Sequence, residues 1–359
     1  MHIRKINKEI EKSIGINLEK NTPKYFQKDF STLVSYSNIK GLEIMSIKDA
    51  LEKYDWLKEY FWKALNKDKD EITKYSASHD FNGYFIRVEK NVKISLPIQA
   101  CLYLEKEGLV QNVHNIIIAE ENSEINVVTG CTIARYSFGK HIGISEFYLK
   151  KGAKVNFTMI HHWNENTEVM PRTAVILEEN STFISNYILL SPTKLVQTMP
   201  ITYNGKNSKS ILNSLILGLK DSFIDVGGQS ILMGENSSSL IESRIVAKDS
   251  SKIISRGKIV SENKNTKGHI ECRGLLISDK AEIQTIPELY SKNKDSELTH
   301  EASVGKIKKE EILYLMSRGF SEEESTKLII NGFLNPYSFE LPKHLKSQIE
   351  SIIKMSIGF

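Results

Sequence analysis

Hydrophobic and polar positions along the chain fall into three regimes. From Ser46 to Leu65 the apolar residues Ile47, Ala50, Leu51, Tyr54, Leu57, Phe61, Ala64 and Leu65 recur every three or four positions, which places them on one face of a helix. A helical N-terminal region over residues 1–80 is expected. The charged run Asn66–Glu71 after it reads as a solvated linker.

From about Phe81 to Tyr290 the texture changes to short β-branched runs, each broken by a polar turn and resumed. Val88–Ile94, Ala119–Ile125, Leu149–Val155, Leu177–Phe183, Met233–Leu240, Ala247–Ile253 and Ile277–Ile283 share this form, and Tyr203–Ile211 follows it more loosely. Taking Asn91, Asn122, Gly152, Asn180, Asn207, Asn236, Ser250 and Lys280 as turn positions, successive intervals are 31, 30, 28, 27, 29, 14 and 30. A near-constant period with one half-step points to a solenoid, and strand–turn–strand units point to a β-helix. Asn, Gly and Ser recur at the turns because they tolerate left-handed backbone or bond locally to the main chain. A β-sandwich with regular hairpins is the alternative, but sandwiches rarely keep one period for so long. The expected core spans residues 81–297.

The third regime, residues 298–359, returns to helical spacing. Ile312, Leu313, Leu315 and Met316 lead into Arg318-Gly319, where glycine suits a left-handed cap. Ser321-Glu-Glu-Glu324 has the form of a capping box opening a second helix that stops near Asn331-Gly332. A third helix is expected from Pro342 to about Met355. The fold class is therefore mainly β, a parallel β-helix between helical N- and C-terminal regions.

Composition narrows the function. The 359 residues are 40% hydrophobic and 26% charged, which is ordinary for a folded chain. Forty-eight basic against 44 acidic residues leave a net charge of +4, without the Lys/Arg stripe of nucleic-acid binders. No apolar run is long enough to span a membrane and no secretion signal is present, so a cytoplasmic location is expected. Three widely spaced cysteines, Cys101, Cys131 and Cys272, argue against a disulfide framework and against a four-thiolate site within one chain. Any bound metal needs other ligands or a second subunit.

Phosphate-binding, dinucleotide-binding and His-Glu-x-x-His zinc motifs are absent, so ATP hydrolysis and redox cofactor chemistry are not written in this chain. Two short stretches carry candidate chemistry: Glu271-Cys272-Arg273 and Thr299-His300-Glu301-Ala302. A thiolate with an imidazole and a carboxylate makes an incomplete iron or zinc site, and an adjacent arginine favours the thiolate. On composition alone a lone cysteine is more often a small buried hydrophobe.

Pro97-Ile-Gln-Ala100, Val127-Val-Thr-Gly-Cys-Thr132 and above all His300-Glu-Ala-Ser-Val-Gly-Lys-Ile307, with Leu313-Tyr-Leu-Met-Ser-Arg-Gly319 and Asn331-Gly-Phe333, resemble the SufB/SufD family. The likeness runs from about Phe81 to Leu341 and is closer to SufB, which places a cysteine where Cys272 stands and a His-Glu pair where His300 and Glu301 stand. The resemblance implies a right-handed parallel β-helix. It also implies a non-enzymatic scaffold that forms an iron–sulfur cluster and passes it to apoproteins, with an ABC-type ATPase of the SufC kind as partner. Cys272 and Glu301 are the implied cluster ligands, with His300 nearby and ranked behind Glu301. The implied ATPase docking region is Ile307 to Leu341, with Leu313, Tyr314, Arg318 and Phe333 as anchors. The chain lacks the Cys-rich N-terminal motif of longer SufB chains, so sulfur donor and flavin involvement stay open.

Because one chain supplies few ligands, a homodimer through the late rungs, or a heterodimer with a SufD-like chain, is expected. Cys131 lies too many rungs from Cys272 to share a cluster with it; a core thiol is preferred over a sulfur relay, and Cys101 is assigned to packing. His161-His162-Trp163 invites a metal reading, but neighbours on a strand face opposite sides and cannot chelate together. A structural partner without its own cluster is one alternative function. A carbohydrate-active β-helix using Glu120, Glu121, Glu178 or Glu179 is another, although these residues sit at turns where solvation explains them better.

Overall fold

The computed structural model describes residues 8–17, 22–335 and 343–357. Asparagine and glycine at φ > 0 set the architecture: Asn91, Asn122, Gly152, Asn180, Asn207, Asn236 and Asn265 all have φ between 55° and 68°. They stack on one corner of a parallel β-solenoid. Each donates its backbone N–H to the next rung, as Asn122 does to Lys151 at 2.9 Å and Asn207 to Glu235 at 2.9 Å. Side-chain amides continue the ladder, Asn207 to Asn180 and Asn236 to Asn207, both at 3.1 Å. At 152 the corner residue is glycine, and a Cβ there would lie 2.3 Å from Oδ1 of Asn122, so that amide would have to turn away. A second corner carries Lys220 and Asp249 at φ 54° and 59°. The half-step in the sequence is the jump from the first corner to the second, and the turn expected at Ser250 is centred on Asp249.

Two parallel sheets form the walls. One runs in the order 31–36, 24–28, 98–104, 124–133, 154–162, 182–189, 209–218, 238–247, 267–276, 297–306. The other ends on strands 252–261 and 282–291. Inward positions alternate with outward ones in late strands such as Lys252–Ser261, as expected where one face meets solvent. Earlier strands such as Val110–Ala119 are buried on both faces, because flanking segments cover the outside. The N-terminal helix Ile47–Lys53 and the turn after it cover one sheet with Ile47, Ala50 and Leu57. Ile14 from the N-terminal segment and Ile330, Leu334, Ile349, Ile352 and Ile353 from the C-terminal helices cover the other.

The N-terminal region departs from expectation. It contributes three strands, Lys24–Lys28, Ser31–Tyr36 and Leu42–Ser46, and the last two pair antiparallel against the solenoid end. The helix expected over 46–65 stops at Lys53 and gives way to a 3-10 turn at Asp55–Glu59. Beyond that turn the backbone is held by Glu146, fully buried on the sheet beneath. Its carboxylate accepts from the backbone N–H groups of Trp62, Ala64 and Leu65 at 2.7, 2.8 and 3.0 Å. These donors would otherwise serve the helix, and Trp62 is held at φ 61°, an outlier for a bulky residue. His114 Nε2 at 2.8 Å and Tyr148 Oη at 3.1 Å complete the shell. Replacing Glu146 with Ala leaves several buried donors without acceptors, so we expect a loss of about 3–5 kcal/mol in chemical denaturation and early hydrogen exchange at residues 60–66.

The charged run at 66–71 is more than a linker. Asp70 caps helix Glu71–Ser78 in a capping box with Thr73, and Arg172 Nε pairs with its carboxylate at 2.6 Å. At the other end, the β-solenoid continues past residue 297 through strand Glu297–Lys306, so His300 and Glu301 belong to its last rung and not to the helical tail. Helices Lys309–Met316, Glu322–Phe333 and Lys343–Ile357 follow, with Gly319 at φ 98° and the Ser321–Glu324 capping box formed. Pro342 and residues 336–341 of the expected docking stretch lie outside the described residues.

Candidate functional site

Strand Lys267–Leu276 carries Cys272 near the open end of the solenoid. Its alternation turns Ile270, Cys272 and Gly274 inward and His269, Glu271 and Arg273 outward. Cys272 is 5% exposed. Burial pushes its thiol above the ordinary range, Ser255 opposes this by hydrogen bonding to it, and Glu271 adds to the rise. Arg273, expected to favour the thiolate, instead pairs with Glu271 on the outer face. Burial thus favours the protonated thiol, and a metal ligand displaces that proton on binding.

The last strand lies alongside in register, with Ile270 opposite His300, Glu271 opposite Glu301 and Cys272 opposite Ala302. His300 thus shares the inward face with Cys272, two positions along, where diagonal neighbours are about 7–8 Å apart. Glu301 continues an outward carboxylate row, Glu242, Glu271, Glu301. Within one subunit the register puts His300 on the cysteine's side of the strand, and Glu301 borders the crevice beside Cys272. The crevice bordered by Cys272, Ser243, Ser255, Thr285 and Glu301 holds only about 10 Å³, no more than a single water occupies. A cluster has room only outward, at the edge. The larger pockets, of about 920 and 690 Å³, lie elsewhere.

Strand Glu297–Lys306 is exposed along nearly its whole length, and Glu282–Ser291 mixes exposed with half-buried positions and buries none. Edge strands with free N–H and C=O groups are templates for pairing with another chain. Pro287 removes a donor from one edge, whereas Glu297–Lys306 has no proline. Tyr290 and Val304 stand exposed beside these edges.

The expected docking residues separate into two groups. Leu313 and Tyr314 are 61% and 60% exposed, and Arg318 stacks its guanidinium 5.3 Å from the Tyr314 ring. Phe333 instead packs against the apolar layer outside the sheet, and its carbonyl accepts from Arg244 Nη1 at 3.3 Å.

The acidic turn residues are engaged across rungs: Glu120 with Arg87, Glu121 with Lys90, Glu178 with Lys150 and Glu179 with Lys151, at 2.6–3.0 Å. None converges with a second carboxylate as hydrolysis of a glycosidic bond needs. Cys101 packs in the outer layer with Ile14 and Phe26. Cys131, His141 and His161 come together in the solenoid, each buried, with donor atoms within 4.8 Å of one another. Sequence reading did not foresee this group. The signal available was spacing: Cys131 and His161 are one period apart and lie opposite each other in adjacent rungs.

Among the described residues no helix is long and apolar enough to cross a membrane. Residues 102–333 match the family described as SUF system FeS cluster assembly, SufBD core domain. The chain is 49% identical over 353 residues to an iron–sulfur cluster assembly SufBD family protein of Archaeoglobus fulgidus, covering 98% of this chain and 95% of that one. A SufBD family protein of Methanothermobacter thermautotrophicus is 41% identical over 365 residues, covering 99% and 89%. The iron–sulfur cluster assembly protein SufB of Bacillus subtilis is 30% identical over 342 residues, covering 91% and 73%. With its parallel solenoid and most of its length matched, the chain belongs to the SufBD family of iron–sulfur cluster assembly proteins.

Proposed function

We propose that this chain is a scaffold on which a nascent iron–sulfur cluster is built and from which it is passed to apoproteins, as a dimer and with an ABC-type ATPase of the SufC kind. The carrying observation is the difference between the two ends of the solenoid. At one end the antiparallel strands 31–36 and 42–46 terminate the sheets. At the other, two ten-residue strands end bare, and Cys272 lies one strand in from the edge. Solenoids need both ends covered, and a second subunit on this edge doubles the ligand set where one chain has a single thiol.

Cys272 anchors the cluster as thiolate, the natural donor to iron–sulfur species. His300 on the same face and Glu301 on the outer row bind iron more labilely, which suits a product that must leave. The partner is a second copy or a SufD-like chain. The sulfur donor approaches from the open end, since the crevice inside is too small to admit one. Leu313, Tyr314 and Arg318 offer the ATPase a surface of apolar anchors beside a guanidinium.

Anaerobic reconstitution with iron and sulfide, read by absorption and Mössbauer spectra, tests the scaffold reading. We expect charge-transfer bands and a cluster spectrum. Mononuclear iron alone would support a structural partner without a cluster of its own.

A further inference from the structure

Away from the open end, the solenoid interior holds the one cluster of three metal-ligand-type side chains found among the described residues. Cys131 and His161 face each other across adjacent rungs of one sheet, and His141 reaches in from strand Gly139–Leu149 of the other. All three are at most 2% exposed. We propose that Cys131, His141 and His161 bind a divalent transition ion of the zinc type, in a site separate from the one at Cys272.

The hydrogen bonds around the two imidazoles support this assignment. Gln111 spends its amide N–H groups on the carbonyls of Asp29 and Tyr103 at 3.0 and 3.3 Å, which points its carbonyl oxygen at His141. Nδ1 of His141 donates to that oxygen at 2.8 Å, so Nε2 carries the lone pair. Ligating histidines are commonly oriented this way, by a carbonyl on the other ring nitrogen. His161 engages Tyr187 Oη through Nδ1 at 3.0 Å, while its Nε2 is buried with no partner. A buried polar atom without a partner is costly, and a metal ion bound there removes that cost.

Both imidazoles are neutral, as ligation requires. Burial holds His141 down to about 3, and burial together with His141 holds His161 well below its usual value. Burial also raises the Cys131 thiol, so binding forms a metal–thiolate bond and releases the thiol proton to solvent. Bond lengths of about 2.3 Å to sulfur and 2.0–2.1 Å to nitrogen require the donors to close by roughly an ångström. Three protein donors leave one tetrahedral position for water. Trp163 packs on both rings, at 5.1 and 5.4 Å, and lines a pocket of about 690 Å³ with Thr132 and His162, so the site lies one side chain from that pocket.

The test uses the full chain carrying Cys272→Ser, so that it stands apart from cluster chemistry. Titrated anaerobically with Co(II), this protein should take up one ion with tetrahedral d–d bands and a thiolate-to-cobalt band, competed by Zn(II). Adding Cys131→Ser should remove the thiolate band, and adding His161→Gln should weaken binding at least tenfold. Should either variant fail to fold, X-ray absorption of the Zn(II)-loaded Cys272→Ser protein decides: one sulfur and at least two nitrogen neighbours support the site. No uptake, a zinc shell without sulfur, or unchanged binding in folded variants overturns it.

Discussion

Replacing Cys272 with Ser should abolish the charge-transfer absorption of the reconstituted chain while circular dichroism and melting stay those of the wild type. Serine is nearly isosteric and Ser255 keeps a hydrogen-bonding partner, so the fold has little reason to respond. The cluster does, because an alkoxide is not available at neutral pH and a hydroxyl is a poor donor to iron–sulfur species. His300→Ala and Glu301→Ala should each leave a weaker cluster that chelators strip faster, since each removes a labile iron donor beside the anchoring thiolate. Cys101→Ser should leave the cluster intact. Burial raises the Cys272 thiol and ligation expels its proton, so loading should improve as pH rises from 7 to 9. A Cys272→Ser chain that still carries a full cluster would move the anchor elsewhere.

Tyr314→Ala combined with Leu313→Asp should eliminate co-purification of the ATPase without unfolding the solenoid. No residue of helix Lys309–Met316 is buried, so these changes remove surface and no internal packing. Aromatic and arginine side chains dominate such contacts, and losing two central anchors costs about 2–4 kcal/mol, or a 30- to 1,000-fold weaker complex. Truncating the tail after Lys308 is a poorer test, because Ile330, Leu334, Ile349, Ile352 and Ile353 shield the outer face of the sheet. Phe333→Ala should act on stability first, through packing and not docking. Undiminished binding of the double variant in a pull-down would relocate the docking surface.

The repeat was legible because its corners use residues whose backbone freedom is written in their identity. Asn91, Asn122, Gly152, Asn180, Asn207 and Asn236 announce left-handed turns; Lys220 does not, so the second corner surfaced only as an irregular half-step. The helix read over 46–65 failed for a different reason. Apolar spacing reports a buried face, but a carboxylate some 80 residues away claims the backbone donors of 62, 64 and 65, and no local pattern carries that. At the candidate site, the motif identified Cys272, His300 and Glu301, but which of them face each other depends on strand register. The grouping of Cys131 and His161 with His141 was not legible because two sheets must close before His141 meets the others.

Native mass spectrometry of the anaerobically reconstituted chain tests the central claim most directly, by weighing protein and cargo together. A scaffold that builds its cluster across the open edge should appear as two chains with iron and sulfide, and as cluster-free chains once Cys272 is serine. A single chain retaining a complete cluster, or a dimer that stays equally stable and never gains iron and sulfide, would contradict it.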